Sequence, residues 1–188
     1  QPFISCQSYV YHADGIGVLP TRPLEGEGIS EYLFCKNGWL PTPSFFLKRD
    51  ALGSIRFDES LPRHQDYDLL FQLEERGLRP YALMTPLVKI HWEDLESSRR
   101  AVNTANSEVF AASRIGCFTR RAYSCFVIKF LLIPKIKSGS RISALSMLSK
   151  SGFRFLSNRN LSMEVFSMLL FKDNRVLRYA ASIKSHFI

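Results

Sequence analysis

Two carboxylates, Asp66 and Asp68, stand one residue apart at the start of a stretch, Tyr67 to Arg76, whose Leu69, Leu70 and Leu73 fall on one helical face. A carboxylate placed there has two uses. It can cap the helix by accepting a hydrogen bond from a free amide. Alternatively, it can stay ionised under the helix dipole and take a proton from a hydroxyl. Residue type alone leaves both open. Downstream, Arg99 and Arg100 open another helical pattern, where guanidinium groups could pair with a diphosphate or simply lie in water. Upstream, Gly15-Ile-Gly17 lacks the third glycine and the following helix of a phosphate cradle, so it reads as turns. Cys6, Cys35, Cys117 and Cys125 show no CxxC spacing, which argues against a zinc knuckle or a disulfide scaffold and suits reduced, buried thiols of a cytosolic protein.

These residues need elements to position them. Pro2 to Tyr11 reads as a strand that starts without a polar lead-in, as a cut chain would. His12 to Gly28, dense in Gly and Pro, reads as a loop. Ile29 to Lys36 reads as a short helix with Ser30 as its N-cap, stopped by Asn37-Gly38. Pro41 and Pro43 exclude a central strand until Ser44 to Leu47. A helical turn over Lys48 to Leu52 precedes a polar loop, and Gly77 takes the C′ position after the Tyr67 helix. Pro80 to Ile90 supplies one or two strands. The order strand, helix, strand, helix, strand argues for an α/β sandwich. Beyond Glu93 the pattern is helical: Ser97 to Ile115, Arg121 to Ile133 ended by Pro134, and three further helices between Arg141 and Lys184.

Three runs carry a family likeness: Pro41-Thr-Pro-Ser-Phe-Phe-Leu-Lys-Arg-Asp-Ala51, then Ile55-Arg-Phe-Asp-Glu-Ser-Leu61, then His64-Gln-Asp-Tyr-Asp-Leu-Leu-Phe-Gln-Leu-Glu-Glu-Arg-Gly77. Their order and spacing resemble the second half of family 2 glycosyltransferases, and the likeness covers roughly Pro2 to Glu93. It implies a partial GT-A sandwich over residues 1–96, the acceptor-side half of the domain, followed by a basic helical extension over 97–188. It nominates Asp66 as the base that takes the acceptor hydroxyl's proton in an inverting transfer, with Gln65 standing where the family usually has glutamate. Asp66-Tyr-Asp68 also spells the family's metal-binding D-x-D string, but that string ordinarily follows an apolar strand, and here it follows a Pro-Arg-His-Gln loop. Trp39, Thr42, Ser44, Arg63 and His64 flank the motif and, with Gln65, are candidate acceptor-binding residues. His91 closes a strand where some GT-A enzymes present a histidine to the metal, Mn²⁺ or Mg²⁺ in the complete enzyme, although a structural role beside Trp92 is the plainer reading. The nucleotide-sugar site is expected to be largely missing from these residues.

The charge is split. Up to Ala112 there are 11 basic and 15 acidic residues, a net −4, and from Ser113 there are 14 basic against Glu164 and Asp173, a net +12. Tyr123 to Ile133 is too short to span a bilayer, yet Arg120, Arg121, Lys129, Lys135 and Lys137 surround it, as in a helix resting on an anionic surface. With the resemblance, this places the protein on the cytoplasmic face of the plasma membrane, acting on a glycan or lipid-diphosphate acceptor. A second reading is a non-catalytic, membrane-associated module that keeps the acceptor-side scaffold. No nucleic-acid motif is present, so no nucleic acid is expected as a partner.

Overall fold

The computed structural model describes residues 1–12, 15–92 and 104–137. The chain divides into two compact units, Gln1–Tyr123 and Ser124–Ile188. The first is a mixed α/β unit arranged around one strand.

That strand, β1 (Phe3–His12), is rich in β-branched and aromatic residues. Along one edge it pairs in parallel with β4 (Tyr81–His91), from Ile4↔Tyr81 to Tyr11↔His91. Its other edge is shared end to end by two antiparallel partners. Here β2 (Gly15–Leu19) covers Ser8 to His12, and β3 (Phe45–Leu47) covers Phe3 to Ser5. Cys6, Ser8 and Val10, alternate residues of β1, are all buried. Phe3 packs edge-on against Phe45 at 5.3 Å.

The expected order of strand, helix, strand, helix, strand is present, with one addition. The Gly-rich stretch after His12, expected to be loop throughout, contains β2. Its pairing partners come from β1, so the hairpin rather than local propensity makes it a strand. Pro80 to Ile90 forms one strand with register shifts around Gln7, and Pro86 sits at the irregularity, where a missing N–H interrupts least.

Four described helices of the first unit are α1 (Ile29–Cys35), α2 (Arg49–Leu52), α3 (Gln65–Glu75) and α4 (Thr104–Ser113). The N-cap of α1 is Gly28, and Ser30 is buried inside the first turn. The free amide of Ile29 donates instead to Glu74 Oε1 of α3 at 2.9 Å, so a carboxylate from another helix does the capping that Ser30 was expected to do. Gly77 ends α3 as expected: at φ 72° it lets Leu78 N–H reach Leu73 O and its own N–H reach Glu74 O. The helix expected from Ser97 begins outside the described residues, and α4 is its described part.

The helix α5 (Arg120–Val127) starts from Thr119, whose Oγ1 accepts the Ala122 N–H at 3.0 Å. Pro134 was expected to end the helix. Instead, a π-helical turn over Ile128–Leu132 intervenes, in which the Ile133 N–H donates to Ile128 O, and Pro134 falls in the first turn of a new segment, Ile133–Lys137. A proline is tolerated there because no N–H is required of it. The helices expected beyond Arg141 lie outside the described residues. Among the described residues no helix is long and apolar enough to cross a membrane.

Gly38 illustrates how tightly the first unit is packed. A Cβ at this position would collide with three atoms of the fully buried Tyr32 ring. The Gly38 N–H donates to Tyr32 O at 2.8 Å, so the backbone cannot retreat without losing that bond. Gly38→Ala should therefore lower the unfolding free energy by about 1–3 kcal/mol through overpacking, read as a drop in the urea midpoint at unchanged m-value.

Candidate active site

Asp66 lies in the first turn of α3, whose N-cap is His64 in the left-handed region at φ 68°. Asp66 is therefore not the cap. Its half-buried carboxyl lines a cavity of about 350 Å³ together with Thr42, Phe57, Asp58, Glu59 and Gln65. Burial raises the Asp66 pKa above the ordinary carboxylate value, while the Tyr67 and Asp66 amides and the Arg63 charge pull it partly back. The helix terminus was expected to hold this group ionised; its amides do favour the charged form, and burial acts on the pKa in the opposite direction with the larger effect.

Asp58 on the same cavity is moved the other way. Ser60 Oγ and Ser60 N–H donate to its Oδ1 at 2.5 and 3.0 Å, and with the Arg114 charge they hold its pKa below the usual range.

Asp68, two residues from Asp66, faces elsewhere. It is 0% exposed, accepting from Gln72 Nε2 at 2.7 Å on one oxygen and from Arg114 Nε on the other. The Arg114 guanidinium also reaches Asp58 Oδ2 at 3.4 Å, so one side chain ties α3 to the cavity wall. The two aspartates of the D-x-D string thus serve different surroundings.

The other sequence-nominated residues separate into groups. Thr42 and Gln65 join Asp66 at the cavity, Gln65 also donating to Leu61 O at 2.7 Å. Ser44 turns inward, fully buried, with its Oγ 3.0 Å from Ser5 Oγ and donating to Pro41 O. His64 is buried as well. Its ring stacks on Tyr67 and its Nε2 lies 2.9 Å from Ser107 Oγ. Desolvation, with the nearby Arg63 charge, lowers its pKa to about 3. Arg63 Nη1 donates to the same Ser107 Oγ at 3.4 Å.

Trp39 and His91 belong to two separate aromatic groups. Trp39 meets Trp92, and His91 stacks on Tyr11 at 4.6 Å. Among the described residues no three of His, Cys, Asp and Glu are grouped so as to hold a metal ion. Arg99 and Arg100 lie outside the described residues. Phe57, Asp58 and Glu59 were quoted in the sequence likeness but assigned no role, and the geometry adds them to the cavity. Arg114 and Ser107 left no local signal, because each acts across more than 40 positions.

Comparison with known proteins adds one relative. Over 146 residues, 76% of this chain and 48% of the other, the sequence is 31% identical to the amylovoran biosynthesis glycosyltransferase AmsB of Erwinia amylovora. The chain spans about half the length of that curated relative. No family model matches the chain, and no solved structure matches it.

Two outcomes test this geometry. Arg114→Met should cost about 3 kcal/mol of stability by stranding the buried Asp68 charge, and adding Asp68→Asn should recover part of that loss in a double-mutant cycle. His64 is held neutral, so its unfolded state binds a proton first as the pH falls below 6.5, and stability is lost down to its folded value of about 3. His64→Asn, which also tolerates a left-handed backbone, should therefore show a shallower acid loss. The difference in slope should approach about 1.4 kcal/mol per pH unit in denaturation titrations.

Proposed function

We propose that this chain is the acceptor-side part of an inverting, nucleotide-sugar-dependent glycosyltransferase of the GT-A, family 2 type, which builds a surface polysaccharide. The observation that carries the reading is Asp66: a carboxyl on a cavity, in the first turn of a helix, with its pKa raised by burial. The identity to a glycosyltransferase of polysaccharide biosynthesis supports it.

In this reading the acceptor glycan's hydroxyl enters the cavity beside Thr42 and Asp66. As its oxygen forms a bond to the anomeric carbon, Asp66 takes the proton, and the bond to the nucleoside diphosphate breaks on the opposite face of the sugar. A raised pKa strengthens a carboxylate as a base at the moment of transfer. Asp58, held ionised, adds negative potential beside it, which favours an oxocarbenium-like transition state.

The donor site, in this proposal, lies in polypeptide outside these residues, and so does the divalent ion that family members use. His91 alone does not make a ligand set with the described residues. The net +12 from Ser113 onward suits attachment to the anionic cytoplasmic leaflet, where a lipid-diphosphate acceptor would be presented.

The test is transfer of radiolabelled sugar from a panel of UDP-, GDP- and dTDP-sugars by membranes carrying the whole protein. Asp66→Asn should lower kcat by about 10²- to 10⁴-fold, with the abundance of the protein unchanged. Full activity in that variant would remove Asp66 as the base, and no transfer from any donor by the unaltered protein would favour the non-catalytic module.

A further inference from the structure

The partly exposed rings around Trp39 and His91 are not accounted for by the core. They gather at one end of the sheet in two groups, one on each face, because Tyr11 and His12 are successive residues of β1. Tyr11 stacks on His91 at 4.6 Å and 9°, His12 meets Trp92 edge-on at 5.0 Å, and Trp39 meets Trp92 edge-on at 5.6 Å. None of the five is buried: His91 is exposed and the other four are intermediate. Both tryptophans of the protein are here.

The place is informative. Tyr11↔His91 is the last register pair of the parallel strands β1 and β4, so the rings sit at their carboxyl ends. In open α/β sheets ligands bind outside the carboxyl ends of parallel strands. Thr42 of the carboxylate cavity is three residues from Trp39, which limits the chain between them to about 10 Å.

The chemistry narrows the ligand. Indole rings left partly in water offer flat apolar faces, and the His12 imidazole beside them offers hydrogen-bond groups. The neighbouring cavity is lined by Asp58, Glu59 and Asp66, which repel phosphate. A neutral, hydroxyl-rich ring with an apolar face satisfies both surfaces. We propose that Trp39 and Trp92, with His12 beside them, form a stacking platform for a pyranose unit of a neutral glycan. The platform deepens the glycosyltransferase reading by naming the acceptor's chemical class, and it rests on that reading for the glycan's purpose.

Because the chain has only two indoles, their N–H resonances report this cluster and nothing else. The 188-residue chain would be titrated with maltotriose, lactose and a galactan oligosaccharide, and separately with UDP. Both indole resonances should shift saturably with a neutral oligosaccharide. Trp39→Phe and Trp92→Phe, each keeping one indole as reporter, should weaken binding about three- to tenfold. Transfer is read in the Asp66→Asn variant and binding in the tryptophan variants, so loss of transfer there and loss of binding here are separate results. No shift with any oligosaccharide would overturn the platform, and so would a shift with UDP alone, which would mark a nucleotide site.

Discussion

The buried carboxylate of Asp68 is the constraint from which most of this arrangement follows. A carboxylate with no exposed surface has to be both neutralised and hydrogen-bonded. Gln72 comes without further cost, one turn along the same helix. Arg114 lies 46 positions away and reaches Asp68 only if α4 is laid against α3. The apolar contact that makes this possible is Phe110, one turn before Arg114. It is fully buried and packs against Phe71, Tyr67 and His64. Phe118 extends the seam to Phe34 of α1. The aromatic seam supplies adhesion, and the ion pair supplies register.

The same seam stabilises a conformation that the backbone alone would avoid. A non-glycine residue at positive φ costs on the order of 1 kcal/mol, and His64 adopts it with its ring stacked on Tyr67 and its Nε2 bonded to Ser107. The turn made there is what lets Gln65 and Asp66 open the helix beside Thr42 and the Phe57 to Glu59 loop. A residue read from sequence as a ligand of the acceptor is thus a residue that aims the helix. Its depressed pKa is a by-product of being buried for that purpose.

What the sequence made legible follows from how far each interaction reaches. The apolar face of α3, the Gly77 stop and the β-former runs of β1 and β4 are local patterns, and each formed where it was read. The strand β2 was missed because Gly15 and Gly17 carry no strand propensity, and only the edge of β1 makes a strand of them. Ser30 was read as a cap because a nearby hydroxyl is the local solution, whereas Glu74 of α3 does the work from 45 positions away. Among the candidate residues, Thr42, Gln65 and Asp66 converge on one cavity. Ser44 and His64 do not, since their partners Ser5 and Ser107 leave no periodic trace near them.

The cavity carboxylates show why position outweighs residue type in assigning chemistry. Asp58 and Asp66 line one space, yet hydrogen bonds from Ser60 push the first pKa down and burial pushes the second up. Carboxyl groups moved apart in this way suit different roles, and in the proposed reaction Asp58 is the fixed charge and Asp66 the proton acceptor. Arg114 joins the two roles physically, since its guanidinium reaches Asp58 on the cavity wall and Asp68 beneath it. Its positive charge is thereby spent on two carboxylates rather than offered to a ligand phosphate. With Arg114 so engaged, the cavity in the proposed reading favours neutral hydroxyl groups over phosphates, the division expected between the acceptor and donor sides of a sugar transfer.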